Sequence, residues 1–69
     1  MEARDLDYLL AVEKHGGIGK AAEVLGMSQP ALTKAIQRAE AQAGLALFER
    51  TANGVAPTQA GTLFIARGG

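Results

Sequence analysis

An all-α domain carrying a small two-stranded β-wing is predicted by three stretches of this 69-residue sequence. From Ala21 to Gln37, two short amphipathic patterns are separated by Gly26-Met27-Ser28. Before them, Leu6, Leu9, Leu10 and Val12, with Tyr8 and Ala11 beside them, recur at the spacings of a helix face. After them, Thr51-Ala52-Asn53-Gly54 places an Asn-Gly turn signal between Phe48-Glu49-Arg50 and Val55-Ala56.

The first helix is expected from about Arg4 to Lys14, with Asp5 near its positive end and Gly16-Gly17 terminating it. His15 then sits beside the last carbonyls, which is its simplest role. The second helix spans Ile18 to Leu25 and turns Ile18, Ala21, Ala22 and Leu25 inward. Neither Gly17 nor Gly19 supplies a side-chain cap, so the opening amides are either hydrated or free to meet an anion, to which Lys20 would add charge.

Gly26 suits the positive φ that ends a helix at Leu25. Ser28 can cap the next helix and Pro30 falls in its first turn, where a missing N–H costs nothing. Residues 18–37 therefore read as a helix-turn-helix. The third helix runs from about Gln29 to Ala43 or Gly44. At about 100° per residue, Leu32, Ile36, Ala39 and Ala43 form one inward stripe, with Ala35 at its margin. Pro30, Thr33, Lys34, Gln37, Arg38 and Ala41 lie opposite, almost without acid. That outer face matches groove chemistry. Gln pairs bidentately with adenine, Lys with guanine O6 and N7, Pro or Ala touches a thymine methyl, and Thr reaches a base edge or a phosphate.

Leu45, Leu47 and Phe48 are expected to return apolar groups to the core, and the Asn53-Gly54 signal predicts a wing closed by a primed turn. Asn53 is first a turn former at the wing tip and second a DNA contact. Arg50 has two partners open to it, a phosphate or Glu40 across the end of the third helix, with the internal pair slightly favoured. Thr58 can cap a last helix holding Leu63, Phe64 and Ile65, which are too apolar to stay in water. Arg67-Gly68-Gly69 stops it after barely two turns, so residues 59–69 read as the cut beginning of a longer helix that follows a domain of residues 1–58.

A chain of this size holds one modest core, without room for an enclosed catalytic pocket, and no nucleophile, acid and base constellation is visible. No catalytic residue is assigned. Cysteine is absent and a single His15 cannot make a zinc site, so no metal and no cofactor is expected. The N-terminus alternates Glu2, Arg4, Asp5 and Asp7, unlike a signal peptide, and no apolar run approaches a membrane span. The expected compartment is the cytoplasm. Seven basic and seven acidic residues give a net charge of zero, which at first opposes DNA affinity. Their distribution decides otherwise: Glu2, Asp5, Asp7 and Glu13 crowd the first helix, whereas Lys14, Lys20, Lys34, Arg38, Arg50 and Arg67 follow, opposed only by Glu23, Glu40 and Glu49. Binding should be weak for one copy and depend on a second.

With these residues in place, the chain resembles the N-terminal winged helix-turn-helix domain of LysR-type transcriptional regulators of bacteria over essentially its whole length. The matching elements are Leu6-x-Tyr8-Leu9, Ala21-Ala22-Glu23-x-Leu25, Ser28-Gln29-Pro30-Ala31-Leu32-Thr33, Ile36, Glu40, Gly44, Leu47-Phe48-x-Arg50 and Thr58-x-Ala60-Gly61. The resemblance implies a three-helix core, a two-stranded wing and the start of a linker helix through which two copies dimerise, Leu63, Phe64 and Ile65 being the candidates here. It also implies a C-terminal domain, absent from this chain, through which a small-molecule effector acts. Two recognition helices would enter successive major grooves of an imperfect inverted repeat in double-stranded DNA, with the wings on flanking backbone or minor groove. By position, Gln29, Pro30, Ala31, Thr33, Lys34 and Gln37, next to the Ser28 cap, would supply base and nearby phosphate contacts. Lys20, Arg38, Arg50 and Asn53 would position the backbone.

The sequence departs from the family pattern at five positions. Ala39 and Ala43 stand where leucine is usual, a loss of about 2–5 kcal/mol for an uncompensated truncation. Gly17 replaces a usual serine and loses a cap. Asn53 replaces a frequent wing arginine, and Pro57 replaces a frequent leucine and is expected to shorten the second wing strand. A competing reading is a winged-helix interaction module that pairs through its apolar first and last helices without binding DNA. Such a module has no need for the acid-free outer face of the third helix.

Overall fold

The structure, a computed structural model, describes residues 3–68 and runs α1 (Ala3–His15), α2 (Ile18–Leu25), α3 (Gln29–Ala43), β1 (Phe48–Thr51), β2 (Gly54–Pro57) and α4 (Gln59–Ala66). It is a winged helix-turn-helix. The expected local signals operate at both ends of the central turn. Gly26 adopts φ 71 and its N–H donates to the Glu23 carbonyl, while the Met27 N–H reaches the Ala22 carbonyl at 3.0 Å. Ser28 Oγ accepts from the Ala31 N–H at 3.2 Å, and Pro30 sits in the first turn of α3. This cap fixes where α3 begins.

The core is small and rich in alanine. Leu9, Val12, Leu32 and Leu47 are fully buried, with Ala21, Ala22, Ala35, Ile36 and Ala39 around them. Alanines at 21, 22 and 39 let α1, α2 and α3 approach closely, and Ala39, at 1% exposure, has its neighbours closed over it. Tyr8, Ile18, Leu25, Ala43, Phe48, Val55, Phe64 and Ile65 pack around this centre. Two expected core residues lie outside it: Leu10 is 40% exposed and Leu45 is 54% exposed. Leu45 lies in the loop just past the end of α3 at Ala43, whereas Leu47, two residues further on, takes the inward position.

Asp5 lies in the first turn of α1, where its charge suits the helix dipole as expected, and it does more than that. Among the described residues it is the charged side chain that is buried, and Arg38 of α3 donates to it. The spacing Asp5, Leu9, Val12 places it on the inward face of α1.

The wing is antiparallel, pairing Phe48 with Pro57 and Thr51 with Gly54. Its turn is not primed. Both primed turn types need positive φ at the first central residue, and neither Ala52 nor Asn53 has it; the positive φ falls on Gly54, at 136. A Cβ on Gly54 would run into the Gly16 carbonyl oxygen, to which the Val55 N–H donates at 2.9 Å. Glycine is needed there for both reasons, and the contact ties the wing to the α1–α2 turn. Pro57 closes β2 without shortening it, because its position in the pairing lies at the strand's end.

Glu40 replaces the expected Glu40–Arg50 pair with a different one. Its Oε2 accepts from the Leu47 N–H at 2.8 Å and the Phe48 N–H at 3.3 Å. The strand start lies above the last turn of α3, so two backbone donors reach the carboxylate before Arg50 does. Thr58 holds the other end of the ribbon: its Oγ1 accepts from Gly61 N–H at 2.9 Å and donates to the Ala46 carbonyl at 2.6 Å. Gly61 passes so close to the Leu47 carbonyl that no side chain fits.

Candidate nucleic-acid interface

The two-sided character of α3 produces the site. With Leu32, Ala35, Ile36 and Ala39 buried, helical geometry turns Gln29, Pro30, Ala31, Lys34, Gln37 and Arg38 outward, and all six are exposed. Thr33 is half-buried. Ser28 is exposed with its hydroxyl committed to the cap, leaving its lone pairs and proton partly available at the mouth of the helix.

The first turn of α2 meets the first turn of α3. Gly17 precedes α2 in an extended conformation with no side-chain cap, and the Gln29 side chain lies against Gly19, its Nε2 3.6 Å from where a Cβ would sit. Lys20, on the same turn as Gly19, is exposed. Uncapped amides, a lysine and the glutamine are thereby gathered on one side of the motif, a combination suited to an anionic backbone.

A groove of about 180 Å³ separates α3 from the wing, lined by Thr33, Gln37, Glu49, Arg50 and Val55 among others. It brings Arg50 into the same surface as the outer face of α3. Arg50 is exposed and makes no ion pair with Glu40 among the described residues; the Glu40 Oε2 accepts from two amides instead. Asn53 is exposed at the wing tip.

Arg38 is not equivalent to Lys34. Its Nη2 donates to Asp5 Oδ1 at 3.1 Å, forming the ion pair found among the described residues, with side-chain exposures of 57% and 5%. Projection of α3 alone shows an acid-free face; the acid comes from α1. No group of three His, Cys, Asp or Glu side chains among the described residues is placed to hold a metal ion. No helix among them is long and apolar enough to cross a membrane.

Leu63 is 54% exposed, while Phe64 and Ile65 pack partly against the domain's own core. A second groove, of about 310 Å³, runs between Leu45 and α4 and is lined by Leu45, Ala60, Leu63, Phe64 and Arg67.

Comparison with known proteins places this geometry. The profile of the bacterial regulatory helix-turn-helix proteins of the lysR family matches residues 3–62. The chain is 51% identical over 65 residues to the HTH-type transcriptional regulator TfdT of Cupriavidus pinatubonensis, covering 94% of this chain and 28% of that protein. It is likewise 51% identical over 65 residues to ClcR of Pseudomonas putida, covering 94% of this chain and 22% of that one. The chain thus spans less than a third of these curated relatives. Among solved structures, the DNA-binding domain of CbnR in complex with DNA superposes with a TM-score of 0.91 at 40% identity, covering 99% of this chain and 78% of that one. The BenM DNA-binding domain bound to benA site 1 DNA gives 0.91 at 37% identity, covering 99% and 76%.

Proposed function

This chain belongs to the lysR family of bacterial regulatory helix-turn-helix proteins, and from that premise we propose that it reads double-stranded DNA by placing α3 in the major groove. The observation that carries the reading is the exposed row Gln29, Pro30, Ala31, Lys34 and Gln37, with Thr33 at its edge, opposite a face that is fully committed to the core. Gln29 and Gln37 offer paired donor and acceptor groups to adenine, Lys34 offers a cation to guanine, and Pro30 and Ala31 offer apolar contact to thymine. Lys20, the Ser28 end of α3, Arg50 and Asn53 frame this row and serve phosphate contacts that fix register. The DNA complexes of CbnR and BenM domains of the same shape support this use of the surface.

The role is regulatory and non-enzymatic, in the cytoplasm of a bacterium. Residues 1–58 form the reading domain, and residues 59–69 begin a linker helix through which a homodimer forms on an inverted-repeat operator. Leu63 and its groove with Leu45, lined also by Phe64, are the apolar surface available to a second copy, while Ile65 packs partly against the core. A small-molecule effector acts through a domain outside this chain.

The test is a titration against a promoter fragment from beside the protein's own gene and against unrelated DNA of equal length. The wild type prefers the first. Replacing Lys34 and Gln37 together by alanine removes most of that preference, each bidentate contact being worth about 1–3 kcal/mol of discrimination. An unchanged preference in the double variant would refute the residue assignment.

A further inference from the structure

We infer that Asp5 is a positioning residue of the DNA-binding surface: it holds Arg38 on the outer face of α3 and cancels its charge, so that Arg38 orients by hydrogen bonding without neutralising a phosphate. The inference rests on the DNA-binding reading above and deepens it.

Arg38 follows Lys34 by one helical turn and adjoins Gln37, so from α3 alone it counts as a phosphate cation. Asp5 changes that. Its carboxylate is 5% exposed, comes from a helix 33 residues away in sequence, and accepts from Arg38 Nη2 at 3.1 Å. A phosphate approaching from solvent meets the positive end of an ion pair in place of a lone cation. The attraction to the guanidinium is offset by repulsion from a carboxylate a few ångströms behind it, whose burial leaves less water to screen it. Arginine has five N–H donors in a rigid fork. The donors not turned to Asp5 keep a fixed direction, because a buried partner anchors the fork.

The salt dependence of binding reads this directly, since each phosphate neutralised contributes about 0.9 to the slope of log K against log salt. The probe is a short mixed-sequence duplex, labelled for anisotropy, titrated with the whole chain at several NaCl concentrations. Asp5→Asn keeps the side-chain size and an acceptor for Arg38 while removing the negative charge. Its slope should steepen by about 0.9 relative to the wild type, an extra loss of about 3.5-fold in affinity for each fourfold rise in salt. The double variant Asp5→Asn, Arg38→Gln carries the same net charge as the wild type and should return to the wild-type slope.

A purely structural role for Asp5 predicts that the double variant, which also lacks the ion pair, departs from the wild-type slope as the single variant does. Circular dichroism of each variant checks that it is folded before titration, and the double variant replaces the ion pair with a neutral pair able to hydrogen-bond. If the double variant is shallower than the wild type by about one phosphate, Arg38 neutralises DNA despite Asp5 and the inference is overturned. An Asp5→Asn slope equal to the wild type overturns it too. Should the wild type bind no duplex at any salt, the DNA-binding reading itself fails and takes this inference with it.

Discussion

Replacing Glu40 by alanine tests the joint between α3 and the wing. The carboxylate accepts at 2.8 Å from the N–H of Leu47, a residue 1% exposed, and at 3.3 Å from that of Phe48. Water cannot readily replace the first acceptor, so its loss carries the desolvation cost of a buried donor, about 1–3 kcal/mol. The second bond is longer and Phe48 is only half-buried, so it adds less, and Glu40→Ala should cost about 2–4 kcal/mol in all. A domain of this size has a total stability of about 3–10 kcal/mol, so the variant approaches the unfolding threshold. Glu40→Gln retains a neutral acceptor and should cost about 1 kcal/mol. Urea denaturation followed by circular dichroism measures both, with Arg50→Ala as the control. Arg50 is exposed and outside the joint, so its removal should stay within about 0.5 kcal/mol. Coupling of 1 kcal/mol or more between Glu40→Ala and Arg50→Ala would show that the carboxylate serves Arg50 and would refute the geometry described here.

Gly61→Ala forces a methyl group against the Leu47 carbonyl. It should destabilise the domain by several kcal/mol, in contrast to the gain expected for an unobstructed helical glycine, and a thermal melt equal to the wild type would contradict the packing of α4. Ser28→Ala removes the cap on α3 and should cost about 1 kcal/mol by denaturant titration, with no change of fold by circular dichroism. Leu63→Lys, at a side chain 54% exposed, should leave the melting temperature near the wild type and shift sedimentation velocity toward monomer; unchanged self-association would remove Leu63 from the dimer surface.

The elements legible from the sequence are those whose signals are local. Gly26, Ser28 and Pro30 act on residues within four positions of themselves, and the bounds of α2 and α3 follow from them. The outer row of α3 is legible for the same reason, since a helix's own period separates its faces. The errors fall where two elements meet. Glu40 and Arg50 carry complementary charges, and only the path of the chain through Leu47 shows that backbone amides reach the carboxylate first. The turn at Ala52-Asn53 carries an Asn-Gly signal, but docking of Val55 onto Gly16 sets the backbone at Gly54. Asp5 is legible as a charge at the start of α1, while its burial and its partner on α3 are not.

These cross-element contacts also reconcile a net charge of zero with the proposed DNA-binding surface. Two of the seven acids are consumed inside the fold: Asp5 faces Arg38, and Glu40 faces two amides. On the proposed interface, Lys20, Lys34 and Arg50 are exposed and make no ion pair among the described residues, whereas Arg38 is matched. Three phosphates neutralised by one domain correspond to a slope of about −2.7, or roughly 40-fold in affinity for a fourfold change in salt. That is a weak grip for a single copy. In the proposed dimer, two domains joined through α4 would add their phosphate contacts on one duplex, doubling the slope, and the second would bind at the effective concentration set by the first. A neutral chain can thus afford few cations per domain, provided that those it has are left free and that the domain acts in pairs.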